Sequence, residues 1–111
     1  YAMIYMVGDA TPNGWTIDSA TPLTATADPN KFTWTGTLNE GELKFTCDKQ
    51  NDWNGDWFLA NQNGIEPSGD IEQMLFSAKG ANPDNKWKIT SAGTYTIELD
   101  QLQQTVKIKK Q

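Results

Sequence analysis

Thr94-Tyr95-Thr96-Ile97-Glu98-Leu99 changes side-chain character at every step, and Thr105-Val106-Lys107-Ile108-Lys109 does the same shortly after it. In an extended chain successive side chains leave opposite faces. Tyr95, Ile97, Leu99, Val106 and Ile108 therefore fall on apolar faces, and the threonines, Glu98 and the lysines on polar ones. β-Branched and aromatic residues dominate both runs, as suits a pleated, half-buried surface. Each is a strand with one face turned to a core.

The same reading extends outward in both directions. Phe32 and Trp34 share one face of a run over 32–37, with Thr33 and Thr35 on the other. In 42–47, Leu43, Phe45 and Cys47 point inward, so Glu42, Lys44 and Thr46 point to solvent. Further strands are predicted over 2–7, 73–78 and 86–89, with weaker candidates at 57–60 and 23–26. Asp28-Pro29-Asn30, Asn39-Glu40-Gly41, Asn63-Gly64, Ser68-Gly69-Asp70 and Asn82-Pro83-Asp84-Asn85 are turn chemistry between them. No window long enough for a stable helix carries a 3.6-residue period, and 71–76 has room for one helical turn at most. Seven to nine short strands with one apolar face each specify an all-β fold, an antiparallel β-sandwich. The lack of helices between strands excludes α/β architectures.

The 111 residues fit a single domain spanning 1–111. The chain opens on a strand-like run with neither an initiator Met nor a leader, and reads as a fragment of a longer multidomain protein. With 9 Lys+Arg against 14 Asp+Glu, its net charge of −5 argues against nucleic acid as a partner. No stretch approaches the roughly 20 apolar residues of a membrane-spanning helix. The single cysteine, Cys47, sits on the inward side of its strand and reads as a small buried residue.

Catalysis fares badly. Without histidine there is no Ser-His-Asp or Cys-His arrangement, and the usual zinc ligand sets are missing. No phosphate-cradling glycine motif is present. Two carboxylates suffice for a glycosidase, but acidic residues at turns are the ordinary solvated background. No enzyme activity, cofactor or resident metal is expected. Asp52-Trp53-Asn54-Gly55-Asp56, with Asp48 and Asn51 close by, faintly resembles an oxygen-ligand loop. It lacks the full spacing and the distal bidentate glutamate of a calcium-binding hand, and a tight hairpin loop is the favoured reading.

The tryptophans carry the functional signal. Trp34 and Trp87 lie inside strand patterns and are assigned to packing, whereas Trp15, Trp53 and Trp57 sit among turn residues. A flat aromatic face rimmed by polar groups suits a sugar ring, whose CH face stacks on indole while its hydroxyls seek donors and acceptors. Trp15 and Trp53 are the candidate platforms, with Trp57 competing for the second place. Lys44 is a candidate donor because alternation sends it outward near the end of its strand. Asn51, Asp52 and Asn54 lie within reach in the following loop. Two tryptophans set at an angle would match a curved α-glucan better than a flat chain. A spacer domain whose tryptophans are buried in the fold or in an interface is the rival reading from a different class.

Ile4-Tyr5-Met6-Val7-Gly8-Asp9-Ala10-Thr11 running to Gly14-Trp15, Phe32-Thr33-Trp34-Thr35-Gly36-Thr37-Leu38 followed by Gly41-Glu42-Leu43-Lys44-Phe45, and Lys86-Trp87-Lys88-Ile89 followed by Gly93-Thr94-Tyr95-Thr96-Ile97 together carry a resemblance. In order and spacing the chain resembles the SusE/SusF family, surface glycan-binding lipoproteins of Bacteroidetes polysaccharide-utilisation systems, over nearly its whole length. The resemblance implies an immunoglobulin-like sandwich and a starch-binding, non-catalytic role at the outer membrane, with a lipid anchor outside this fragment. It also implies an outer-membrane importer and other surface glycan-binding proteins as partners. Carried onto this chain, the family's paired tryptophans and strand lysine are Trp15, Trp53 and Lys44.

Overall fold

A computed structural model describes residues 1–47 and 52–111. The chain runs through β1 (Ile4–Val7), a short 3-10 helix (Ile17–Ser19), β2 (Thr21–Pro22), β3 (Thr24–Ala25), β4 (Lys31–Leu38), β5 (Gly41–Cys47), β6 (Asp56–Leu59), β7 (Ile71–Gln73), β8 (Leu75–Ser77), β9 (Trp87–Ile89), β10 (Gly93–Asp100) and β11 (Thr105–Lys110). The strands pair antiparallel in two sheets, in the orders β2-β1-β5-β6-β8 and β3-β4-β10-β11-β7, with β9 added to β5 at 41–43. An antiparallel β-sandwich is the architecture that the alternation predicts. The eleven strands among the described residues exceed the seven to nine expected because β2 is too short to show a period and the run over 73–78 divides between β7 and β8.

The sandwich core is built from the expected inward positions. Ile4, Met6, Leu43, Phe45, Cys47, Phe58, Trp87 and Ile89 of the first sheet meet Phe32, Leu38, Tyr95, Ile97, Leu99, Val106 and Ile108 of the second. Trp87 is completely buried, packs edge-on against Phe45 at 5.4 Å and donates its indole N–H to Glu72 Oε1 at 2.9 Å. Trp34 is half-buried against the same core. Burying an indole with its N–H satisfied removes the penalty of an orphaned donor.

Two expectations need correction. The run over 73–78 is not one strand. β7 pairs with β11 in the second sheet, β8 with β6 in the first, and buried Met74 stands between them. The outward face of β5 is not solvated either. Lys44 and Thr46 are 5% and 0% exposed. Across that face the register sets Tyr5, Thr46, Trp57 and Ser77 in one row, and Val7 opposite Lys44 in the next. A second apolar cluster of Val7, Ile17, Ala20, Trp57 and Leu59 covers it, with Tyr5, Leu75 and Ala81 packed alongside. From Leu43 to Cys47, β5 is thus buried on both faces.

Candidate functional site

The candidate site grows out of this second cluster, where three loops converge on the outer face of β5. The first is the segment 8–15. Gly8 begins it with φ of +137°, and a Cβ there would lie 1.9 Å from the Glu42 carbonyl oxygen, so only glycine passes β5 this closely. The loop then closes on itself. The Gly8 N–H donates to the Gly14 carbonyl at 3.0 Å, and Thr11 donates to the Gly8 carbonyl through its N–H at 2.9 Å and its hydroxyl at 2.7 Å. Ala10 N–H and Glu42 N–H tie it across to β5 through the Glu42 carbonyl and Asp9 Oδ1. Trp15 follows directly and stands 37% exposed.

The second loop enters β6 and carries Trp53, 41% exposed. Asp52 Oδ1 accepts the Asn54 N–H at 2.9 Å, which tightens the turn. The Trp57 indole N–H donates to the Trp53 carbonyl at 3.3 Å, and the two rings stack with centroids 5.8 Å apart and planes within 4°. Trp57 itself is 1% exposed. It forms the base on which Trp53 rests, so of the two competing tryptophans Trp53 is the one turned to solvent. Asn51 and Asp48 lie outside the described residues.

The third loop, 78–86, closes the opposite side. Ser77 Oγ donates to the Gly80 carbonyl at 2.5 Å and accepts the Asn82 N–H at 3.0 Å, while Asn85 Nδ2 donates to the Ala60 carbonyl at 3.0 Å. This brings Asp84 Oδ1 to 2.7 Å from Lys44 Nζ. Lys86 Nζ lies 3.4 Å from the other carboxylate oxygen and donates to the Asp84 carbonyl at 3.0 Å.

Lys44 is the centre of the arrangement. Its ammonium lies 4.2 Å from the Trp57 ring centroid, 5.4 Å from that of Trp53 and 5.8 Å from that of Trp15. A buried ammonium needs a counter-charge and polarisable neighbours, and here it has both. Burial works to raise the Asp84 carboxyl's pKa, but the hydrogen bond and charge of Lys44, with Lys86, outweigh it and hold Asp84 below its ordinary value.

Trp15 and Trp53 meet at 52° with centroids 6.3 Å apart. That spacing leaves no slot between the rings for a third ring, so they form two facets of one bent surface. With Lys44, Asn54, Gly80, Ala81 and Asp84 they line an open depression of about 520 Å³, within the range of ligand sites. Four of the sequence candidates, Trp15, Lys44, Trp53 and Asn54, come together here. Asp52 does not line the depression; its carboxylate holds the turn. Asp56, part of the faint calcium motif, accepts the Tyr1 hydroxyl and, at 3.0 Å, the Lys79 N–H. No cluster of metal-ligating side chains occurs among the described residues.

Sequence reasoning missed Asp84, which read as one residue of the Asn-Pro-Asp-Asn turn. Its partner is 40 positions away, and the need for a counter-ion appears only once Lys44 is known to be buried. A second depression of about 440 Å³ lies on the second sheet, along Thr33, Glu98, Lys107 and Ile71. Its one aromatic lining residue, Phe32, is 2% exposed, so it offers no stacking face.

No curated protein and no solved structure matches the chain. The family model described as SusF/SusE starch-specific CBMs matches residues 3–109, nearly the full length. The chain therefore belongs to the SusF/SusE family of carbohydrate-binding domains.

Proposed function

We propose that the domain is a non-catalytic binder of α-glucan, starch or maltooligosaccharide, that stacks successive sugar rings on Trp15 and Trp53. The observation that carries this is the bent pair of exposed indoles, set at 52° above a charged Lys44–Asp84 pair. A chain that turns at each glycosidic link keeps a ring face on both facets; a flat chain meets only one. Asp84 and Asn54, which line the same depression, supply acceptor and donor chemistry for hydroxyls. The exposure of both indoles speaks against the form of the rival spacer that buries them within the fold. Family membership supports a place at the outer cell surface, where the domain would hold glycan for an outer-membrane importer beside other surface glycan-binding proteins.

A shallow site with two platforms binds weakly, with Kd on the order of 0.1–1 mM, or about −4 to −5.5 kcal/mol. Calorimetric titration with maltoheptaose, against xylan and levan oligosaccharides, tests the reading. Binding of maltoheptaose alone is expected. Equal or better affinity for the xylan or levan series removes the α-glucan assignment, and no binding to any of them by the folded domain removes the sugar reading.

A further inference from the structure

We infer that Asp84 is the residue that reads the sugar's hydroxyls in this depression, and that Lys44 is a positioning residue acting through it. The inference rests on the sugar-binding reading above. Of the two charged partners, Asp84 is the accessible one, with its side chain 52% exposed against 6% for Lys44. Lys44 lines the depression with little of its side chain accessible, and it points its ammonium at the face of buried Trp57 and at Asp84 Oδ1. Asp84 stands at the depression's edge, and its carboxylate has about four lone-pair positions. Lys44 occupies one by a hydrogen bond, and Lys86 approaches the second oxygen at the longer distance of 3.4 Å. Acceptor capacity remains for an O–H from a ligand.

The carboxylate is also held in place before a ligand arrives. Asn85 anchors the loop to the Ala60 carbonyl, its N–H closes onto the Pro83 carbonyl at 2.9 Å, and Lys44 grips Oδ1 from below. A hydroxyl donating to a fixed, ionised carboxylate makes a charge-assisted hydrogen bond, stronger than one to a neutral acceptor. The ligand class this selects is a neutral glycan with a free hydroxyl beside its stacked face.

Calorimetric titration with maltoheptaose tests this on the wild type, Asp84→Asn, Asp84→Ala, Lys44→Met and the Lys44→Met/Asp84→Ala double variant. Circular dichroism and tryptophan emission report folding throughout. The double variant matters because Asp84→Ala alone leaves a buried ammonium unpartnered. Asp84→Ala and the double variant are expected to bind about tenfold more weakly or worse, and Lys44→Met to lose less than Asp84→Ala. The charged groups facing Asp84 are Lys44 from β5 and Lys86 from the segment before β9. Because burial of Asp84 is outweighed by Lys44 and Lys86, which hold it below its ordinary value, wild-type affinity should fall only as pH drops below the usual carboxylate range, while Asp84→Asn loses that dependence. Wild-type-like affinity in the folded double variant, an unchanged pH profile in Asp84→Asn, or a larger loss from Lys44→Met than from Asp84→Ala overturns the assignment. Absence of maltoheptaose binding by the wild type overturns the parent reading and this one together.

Discussion

Three neighbouring indoles have two different jobs in this domain, and their exposures separate buried Trp57 from the exposed pair Trp15 and Trp53. Trp57 is 1% exposed and supports Trp53, so its truncation should act on stability. Replacing a buried aromatic of this size with alanine destabilises by about 3–5 kcal/mol, and urea denaturation of Trp57→Ala should show a loss of that size. Trp15 is more than one-third exposed and packs on one side only, so Trp15→Ala should leave the urea midpoint nearly unchanged while abolishing measurable maltoheptaose binding. A large stability loss from Trp15→Ala would return that residue to a structural role. Asp84 adds a pH dependence of stability. Its folded pKa lies below its ordinary value because Lys44 and Lys86 outweigh burial, so the pair stabilises the fold above the unfolded carboxylate range and that contribution is lost as pH falls through the folded value. The gap in melting temperature between wild type and Asp84→Asn should therefore be present at neutral pH and close in acid. How much of this was legible in the sequence differs by residue. Trp15 and Trp53 stood out because nothing near them looks like core. Lys44's direction followed from alternation, yet alternation gives only the face a side chain leaves from. Whether another layer covers that face is a tertiary fact, which is why Lys44 was expected in solvent and why Asp84 went unseen.

The elements position the site through backbone contacts that one glycine makes and another does not. Gly8 passes β5 so closely that an added Cβ would overlap the Glu42 carbonyl oxygen at 1.9 Å. Gly14 has φ of +65° with nothing within 4 Å of an added Cβ, so a substitution there meets only the left-handed backbone penalty. Gly14→Ala should cost about 1 kcal/mol, whereas Gly8→Ala should cost at least about 2–3 kcal/mol and displace the loop that carries Trp15. Urea denaturation with tryptophan emission of the folded variants checks both; equal effects would mean that the loop's closeness to β5 is not what positions Trp15. The strands themselves were largely readable, because β4, β5, β10 and β11 each present one face to a single core. β7 and β8 were not, since a period of two gives side-chain faces and is silent on which sheet a strand joins. The chain changes sheets at Met74 without a glycine or proline to mark the crossing.

At the scale of the whole molecule, the site is an overlay on a sheet that is already sealed against the sandwich core on its other face. Residues from 8–15, from β5, from the entry to β6 and from 78–86 meet only when the first sheet has formed and its outer cluster has packed. The unfolded chain has no such convergence and hence no comparable affinity. Ligand must then stabilise the folded state by RT ln(1 + [L]/Kd). At a maltoheptaose concentration about twenty times Kd this amounts to about 1.8 kcal/mol, which for a domain of this size raises the melting temperature by roughly 7 °C. The shift should grow logarithmically with sugar concentration and vanish in a Trp15→Ala/Trp53→Ala double variant. A shift that persists in that variant would place the sugar elsewhere on the molecule, with the depression along Thr33, Glu98 and Lys107 as the next surface to map. Millimolar affinity of this kind is of use to a chain that carries several such sites, because tethering turns the second contact into an intramolecular one. Two copies of the domain joined by a flexible linker should therefore retain insoluble starch at least about tenfold more strongly than one copy, and a linked pair of Trp53→Ala domains should not.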